Sequence, residues 1–276
     1  MPTDRLTPRS LVWATDIDVL PLSREVSRRD RHLTIRSPSN PDHWWGNMLL
    51  FDDPPRAGDG TRWERTFAEE IEALHRTFAW DRTDGALGEA QTELVARGYV
   101  VERSVGLIAE PARIRSHPRA NREVTVRELP VDGDEELWEQ VVELHVEERE
   151  PDEDEDEQRQ YEHRRQADLR ELFAAGRGGW YVALAEDEVV GSLGVVVTGG
   201  RGRYQHVSTA AAHRRRGICS RLVVEAAHHA ARVHGARRLV IAADPDYHAL
   251  AIYESLGFER AEEVVGALLK PTPKTA

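Results

Sequence analysis

With a single cysteine, Cys219, among 276 residues, the chain can form neither an internal disulfide framework nor a cysteine-based zinc site. Nothing in it therefore demands an oxidising compartment, and a cytoplasmic setting is the expectation. No apolar run approaches the roughly 18 residues a membrane-spanning helix takes, and the opening MPTDRLTPRS lacks the apolar stretch of a signal peptide. Positive charge is in deficit: 37 Lys and Arg against 49 Asp and Glu leave a formal net charge of -12. Such a surface repels nucleic acid and anionic membranes in general, and leaves cationic partners open. A metal motif is also missing. His228 and His229 are adjacent and the next histidine is His234, a spacing that puts no two ligands on one helical face. Surface histidines on an Arg-rich helix, and no metal, are expected.

The length suits two domains of ordinary size. Pro111–Arg122 (PARIRSHPRANR) is polar, carries two prolines and shows no apolar period, so it reads as a linker; we place the domains at 1–120 and 121–276. Past the linker the pattern predicts a strand over Val124–Leu129. A helix then starts at Glu135, with Leu137, Val141, Leu144 and Val146 on its apolar side, and breaks at Pro151. Between Glu147 and Glu157 stand nine carboxylates and one arginine, expected to be solvated and mobile, before a second helix over Gln158–Ala175. WYVALAED and VVGSLGVVVTG are two strands joined at Glu186–Glu188, and Tyr204–Thr209 is a third. Ile218, Leu222, Val223, Ala226, Ala230 and Val233 form one helical face that stops at Gly235. LVIAAD, a helix over Tyr247–Leu256 and a strand over Phe258–Leu269 complete the half. The order β-α-α-β-β-β-α-β-α-β is a mixed α/β layer sandwich.

Chemistry concentrates in HVSTAAAHRRRGICSRLV, where a strand runs through a basic loop into a helix. Arg214, Arg216 and Gly217 stand at the mouth of that helix. Its first-turn amides and dipole favour an anion, the glycine admits a close backbone approach, and arginines add bidentate hydrogen bonds to phosphate oxygens. Neither a Walker loop nor a dinucleotide fingerprint is present, so the arrangement suits a pyrophosphate. Downstream, DPDYHALAIYESLGFERAE places Tyr253 on a short helix between a buried strand and a Gly-Phe strand start.

Together these segments resemble the GCN5-related N-acetyltransferase (GNAT) superfamily over residues 123–270. The family's Arg/Gln-x-x-Gly-x-Gly/Ala appears as Arg214-Arg215-Arg216-Gly217-Ile218-Cys219, and its Asn-x-x-Ala-x-x-x-Tyr-x-x-x-Gly-Phe as Asp246, Ala249, Tyr253, Gly257 and Phe258. Cys219 and Asp246 are departures from the pattern. The resemblance implies acetyl-CoA or another acyl-CoA as co-substrate, and transfer to an amine of a small molecule or peptide. It implies that backbone groups of Val207, Ser208 and Thr209 hold the pantetheine arm, that Arg214 to Ser220 cradle the pyrophosphate, and that Tyr253 protonates the departing thiolate. Glu143, Glu147, His206 and Asp244 are candidates for the base, Glu147 and His206 foremost.

The first half repeats strand, helix, strand, helix, strand: HLTIRS and WWGNMLLF, a helix over Arg62–His75, RTFAWD, a helix near Leu87–Ala96, and YVVERSVGLIA. ELVARGYVVER echoes YESLGFERAE, with Leu94 in the place of Tyr253 and the acidic DDPPRAGDG in the place of the basic loop. The expectation is a tandem of two GNAT-like sandwiches, the first degenerate, with Trp44 and Trp45 either packed or lining an acceptor pocket. A non-catalytic CoA-binding module and an aminoacyl-tRNA-dependent transferase are the competing readings. No oligomeric state is legible.

Overall fold

Residues 6–151 and 153–271 are described in this computed structural model; Asp152 of the acidic run and the termini at 1–5 and 272–276 lie outside them. The first elements are α1 (Leu11–Asp18), β1 (Glu25–Arg28), β2 (His32–Arg36), β3 (Met48–Phe51), α2 (Asp59–Glu70), β4 (Arg76–Trp80), α3 (Gln91–Ala96) and β5 (Val100–Ala109). Then come β6 (Thr125–Leu129), α4 (Glu135–Val146), α5 (Glu155–Ala174), β7 (Gly178–Ala185), β8 (Glu188–Thr198) and β9 (Arg201–Thr209). The chain closes with α6 (Ile218–His234), β10 (Arg238–Ala243), α7 (Ala249–Ser255) and β11 (Glu259–Leu269). Two compact units result: Leu107–Arg260, and the described residues up to Gly106 together with those from Ala261 onward.

This division departs from a cut at residue 121. Residues 107–120 pack with the second unit, where Ile114 is buried and the Arg115 amide donates to the Leu256 carbonyl at 2.9 Å. β11, at the far end of the sequence, is largely a strand of the first unit, antiparallel to β4 in the register Gly266–Ala79 to Leu269–Arg76.

In the second unit the strand order is β10-β9-β8-β7-β6, antiparallel except for the parallel pair β9–β10. That pair holds only from Arg238–Arg201 to Val240–Arg203, while β9 continues to Thr209 and β10 to Ala243. Opposite, the β8–β9 register slips between Ser192 and Gly194, so β9 carries a bulge, and His206 within it has a φ of 43°. Thus β9 runs on past its last pair with β10, at Val240–Arg203, and carries the bulge in that stretch. α6 lays Leu222, Val223, Ala226 and Ala230 into the core and ends at Gly235 in the left-handed conformation, with the Ala236 amide on the Ala230 carbonyl. The end of the acidic run, from Asp154, opens α5. Asp154 caps α5 by accepting from the Glu157 amide at 2.9 Å, and Glu155, Asp156 and Glu157 fill the first turn, where they complement the helix dipole.

The first unit has the strand order β1-β2-β3-β4-β11-β5. Its core is aromatic: Phe51 stacks on Trp63 at 3.7 Å, and Phe67, Phe78 and Trp80 surround them with Leu94 and, from β11, Val265 and Ala267. Leu94 is therefore a packing residue. The tryptophan pair lies in a 3-10 turn, not a strand. Trp45 stacks on Trp13 at 5.7 Å, and a Cβ at Gly266 would lie 2.4 Å from its ring, so it packs within this unit. Helix α1 and strand β1 are additional to the expected elements. α1 is buried on most sides and so has no amphipathic period to reveal it.

The start of α1 is capped from the end of the chain. Glu262 on β11 accepts from Ser10 Oγ at 2.9 Å and from the amides of Leu11 at 3.1 Å and Val12 at 2.5 Å. A carboxylate on otherwise unpaired first-turn amides is worth about 1–3 kcal/mol. Glu262→Ala should lower the free energy of unfolding by about that amount in a urea titration. An unchanged midpoint would show that β11 does not hold α1 by this contact.

Candidate active site

The basic loop leaves β9 at Thr209 and enters α6 at Gly217. Arg215 and Gly217 both take left-handed backbone conformations, with φ of 62° and 74°. Gly217 is obligatory for two reasons: its φ, and the Arg119 carbonyl oxygen that would lie 2.0 Å from an added Cβ. Asn121 clamps this loop. Its amide donates to the Gly217 carbonyl at 3.1 Å and its Nδ2 to the Arg216 carbonyl at 3.0 Å, while Arg221 donates to the Asn121 carbonyl at 3.1 Å. No side chain caps α6 and no acidic residue lies in its first turn, so its amide end is presented to an anion. Arg214, Arg215 and Arg216 are exposed beside it. Arg214 donates to the Thr209 carbonyl and to Glu148, and Arg216 lies 3.5 Å from Glu123. Ile218 and Ser220 are buried, Cys219 is half-buried, and burial pushes the Cys219 thiol up to about 12.

Tyr253, on α7, is 5 % exposed and packs edge-on against Phe258 at 6.2 Å. Burial first, then Cys219 and Tyr247, raises its pKa far above the ordinary phenol value, so it holds its proton throughout the neutral range. Asp246 is exposed and its amide donates to Asp244 Oδ1 at 2.8 Å; Ala249 is half-buried.

A second group of side chains meets where β9 bulges. His145 of α4, Glu162 of α5 and His206 of β9 bring their ligand atoms within 4.8 Å of one another. The His145 and His206 rings stack at 3.5 Å with a 20° interplanar angle. His145 Nδ1 lies 3.1 Å from Glu162 Oε2 and its Nε2 3.2 Å from Ser192 Oγ, so both of its nitrogens are taken. His206 is freer, at 3.9 Å from Glu162 Oε2 and 4.0 Å from Glu148 Oε2. A cavity of about 30 Å³, room for a water or two, opens beside them between Trp138, Trp180, Glu162, Arg165 and Gln205. The Trp180 Nε1 donor is buried without a partner among the described residues.

Burial pushes His145 down to about 3 and Glu162 above the usual carboxylate range. His206 is pushed down by crowding and then by His145, although 37 % of its side chain is exposed and that edge moderates the effect. Sequence reasoning thus reached His206 but not its partners. Glu147 is exposed at the end of α4 and is not part of the cluster; its neighbour Glu148 accepts from Ser208 Oγ at 2.6 Å and pairs with Arg214. Glu143 is held by a two-pronged bond from Arg159 at 2.8 and 2.9 Å, which keeps it ionised and occupied. Val207 and Thr209 are half-buried and Ser208 is buried on the freed stretch of β9.

The acetyltransferase (GNAT) family profile matches residues 138–258. Those residues form a GNAT domain. No curated protein matches the chain. Among solved structures, a conserved protein of unknown function from Staphylococcus epidermidis superimposes with a TM-score of 0.72 at 12 % identity, covering 91 % of this chain and 96 % of that one. A GCN5-related N-acetyltransferase from Kribbella flavida gives 0.58 at 17 % identity, covering 91 % of each chain. A tandem GNAT protein from the clavulanic acid biosynthesis pathway gives 0.55 at 14 % identity, covering 98 % of this chain and 91 % of that one. These likenesses establish the fold.

Two outcomes are expected. Gly217→Val should weaken acetyl-CoA binding by about tenfold or more, measured by calorimetry, because a branched residue at that φ must displace the Asn121 clamp. Unaltered affinity would remove the loop from the cofactor site. The second concerns pH. His145 titrates near 6.5 when unfolded and about 3 when folded, so its share of stability is complete above pH 6.5 and is lost as pH falls towards 3. Between pH 6.5 and 5 the loss is about 2 kcal/mol, partly offset by Glu162, whose raised pKa works in the opposite sense. His145→Gln should flatten the decline in unfolding midpoint over that range; an equally steep decline would mean His145 is not buried neutral.

Proposed function

We propose that the protein transfers an acetyl or other short acyl group from acyl-CoA directly to a primary amine, using the second unit alone. The observation that carries this reading is the meeting, in one unit, of an uncapped helix end ringed by Arg214, Arg215 and Arg216, a stretch of β9 freed from β10, and the protonated phenol of Tyr253. The pyrophosphate would sit on the amides of Gly217 to Ser220, and the pantetheine arm beside Val207 to Thr209. Backbone groups on a strand that has lost its neighbour are free to bond a ligand.

In the proposed reaction an uncharged amine attacks the thioester carbonyl, the tetrahedral intermediate collapses, and Tyr253 donates its proton to the departing thiolate. His206 takes the amine's proton. Its imidazole is neutral at physiological pH, its exposed edge is open to the acceptor, and the Glu162 carboxylate behind it stabilises the imidazolium. Direct transfer is favoured over an acyl-enzyme because Cys219, the one thiol in the chain, is held neutral by burial and is a poor nucleophile. The acidic run ahead of α5 favours a cationic acceptor.

The first unit takes a non-catalytic part in this account. The start of α2, which corresponds to that of α6, is already occupied by carboxylates: the Gly58 amide donates to Glu93 at 3.0 Å and the Arg56 amide to Asp59 at 2.8 Å. Its strands β3 and β4 stay paired to their ends, at Phe51–Trp80. Both the anion site and the gap between strands are lacking.

A screen of amines that follows release of free thiol from acetyl-CoA tests the function. With an accepted amine, Tyr253→Phe should lower kcat by about 10²-fold with acetyl-CoA affinity kept, and Glu162→Gln should lower it by about 10-fold or more. Thiol release that no amine stimulates would refute transfer to amines; a normal kcat in Tyr253→Phe would make that residue a packing group.

A further inference from the structure

Away from the acyl-transfer residues, at the opposite end of α6 from Gly217, three side chains converge whose chemistry the reaction does not use. Glu128 on β6 reaches between His229 and His234 on the last turns of α6. Its Oε1 lies 3.0 Å from His234 Nε2 and its Oε2 3.6 Å from His229 Nδ1. All three ligand atoms lie within 4.8 Å of one another. The spacing along the helix conceals this. His229 and His234 are five apart and diverge around the axis, but their ring centroids are 6.0 Å apart because both turn to the same carboxylate.

We propose that Glu128, His229 and His234 form a binding site for a divalent transition-metal ion, with Zn²⁺ the best match to the donors. Two imidazoles and one carboxylate are a regular zinc set, with bonds of about 2.0–2.2 Å. Ligand atoms on a tetrahedron of that size stand roughly 3.3 Å apart, and each histidine lies near that spacing from its own oxygen of Glu128, His234 at 3.0 Å from Oε1 and His229 at 3.6 Å from Oε2. The one negative charge of Glu128 offsets half of a divalent cation.

The surroundings are shaped to the carboxylate. A Cβ at Gly179 on β7 would lie 1.8 Å from Glu128 Oε1, so only glycine leaves the carboxylate its position. Tyr181, two residues on along the same face of β7, sets its hydroxyl 3.1 Å from His229 Nδ1, the nitrogen that would face the ion, so metal binding would replace this hydrogen bond and leave the phenol oxygen next to a fourth ligand position. The side chains of Glu128, His229 and His234 are 28, 27 and 13 % exposed, which gives an ion an entry from solvent and a partly desolvated seat. Bound there, the metal would tie the end of α6 to β6.

The full-length protein, stripped with a chelator and dialysed, is titrated with Zn²⁺ in competition with a chromophoric chelator. One ion per chain is expected, with affinity at least about tenfold weaker in Glu128→Gln and His234→Asn. His206→Asn should bind as the parent does, which separates this site from the His145–Glu162–His206 cluster. No tight Zn²⁺ in the parent, or equal affinity in Glu128→Gln and His234→Asn, would overturn the proposal and leave a hydrogen-bonded staple. Should those variants fail to fold, the parent decides. Zn²⁺ should protect His229 and His234 from acylation by diethyl pyrocarbonate, read by mass spectrometry, and absence of protection would likewise overturn it.

Discussion

The parting of β9 from β10 is the constraint on which the second unit's site depends. Parallel pairing ends at Val240–Arg203, and β9 carries its bulge beyond that point, at His206. Had the strands stayed paired, the backbone of Val207 to Thr209 would be committed to the sheet. The same bulge rotates His206 towards α4 and α5, where Glu162 and His145 wait. One inserted residue thus breaks the ladder and brings His206 against His145, at the cost of a non-glycine residue in the left-handed region, of the order of 1–3 kcal/mol.

The two units show what that arrangement requires by showing it made and unmade. The first runs strand, helix, strand, helix from β3 to α3, and the second does the same from β9 to α7. In the second, the helix start is left bare and ringed with arginine; in the first, Glu93 and Asp59 occupy the corresponding amides and Arg28 and Arg9 hold the Asp52 loop. An anion meeting the first unit would find its place taken by like charge. What remains there is a packed aromatic core closed by β11, and the contact of Glu262 with α1 ties the last strand to the first helix.

The legible parts of the sequence are those where backbone geometry dictates a residue. Gly217 could be read because φ of 74° and the Arg119 carbonyl forbid a side chain there, and Tyr253 because Gly257 ends its helix at a fixed offset. Glu148, Glu162 and His145 escaped because nothing local marks them: they meet β9 across 44 residues or more of chain, and a charge-rich segment around them reads as a solvated face. The metal-site residues escaped for a related reason, since helix-face spacing weighs His229 against His234 and ignores a carboxylate arriving from β6. The domain boundary shifted because β11 carries a pattern proper to any buried strand, and no pattern says which sheet it joins.

The central claim is that this tandem chain holds one cofactor site, in its second unit. Titration of the full-length protein with acetyl-CoA in a calorimeter tests it most directly: one molecule per chain is the predicted result, and two per chain, or none, would contradict the account.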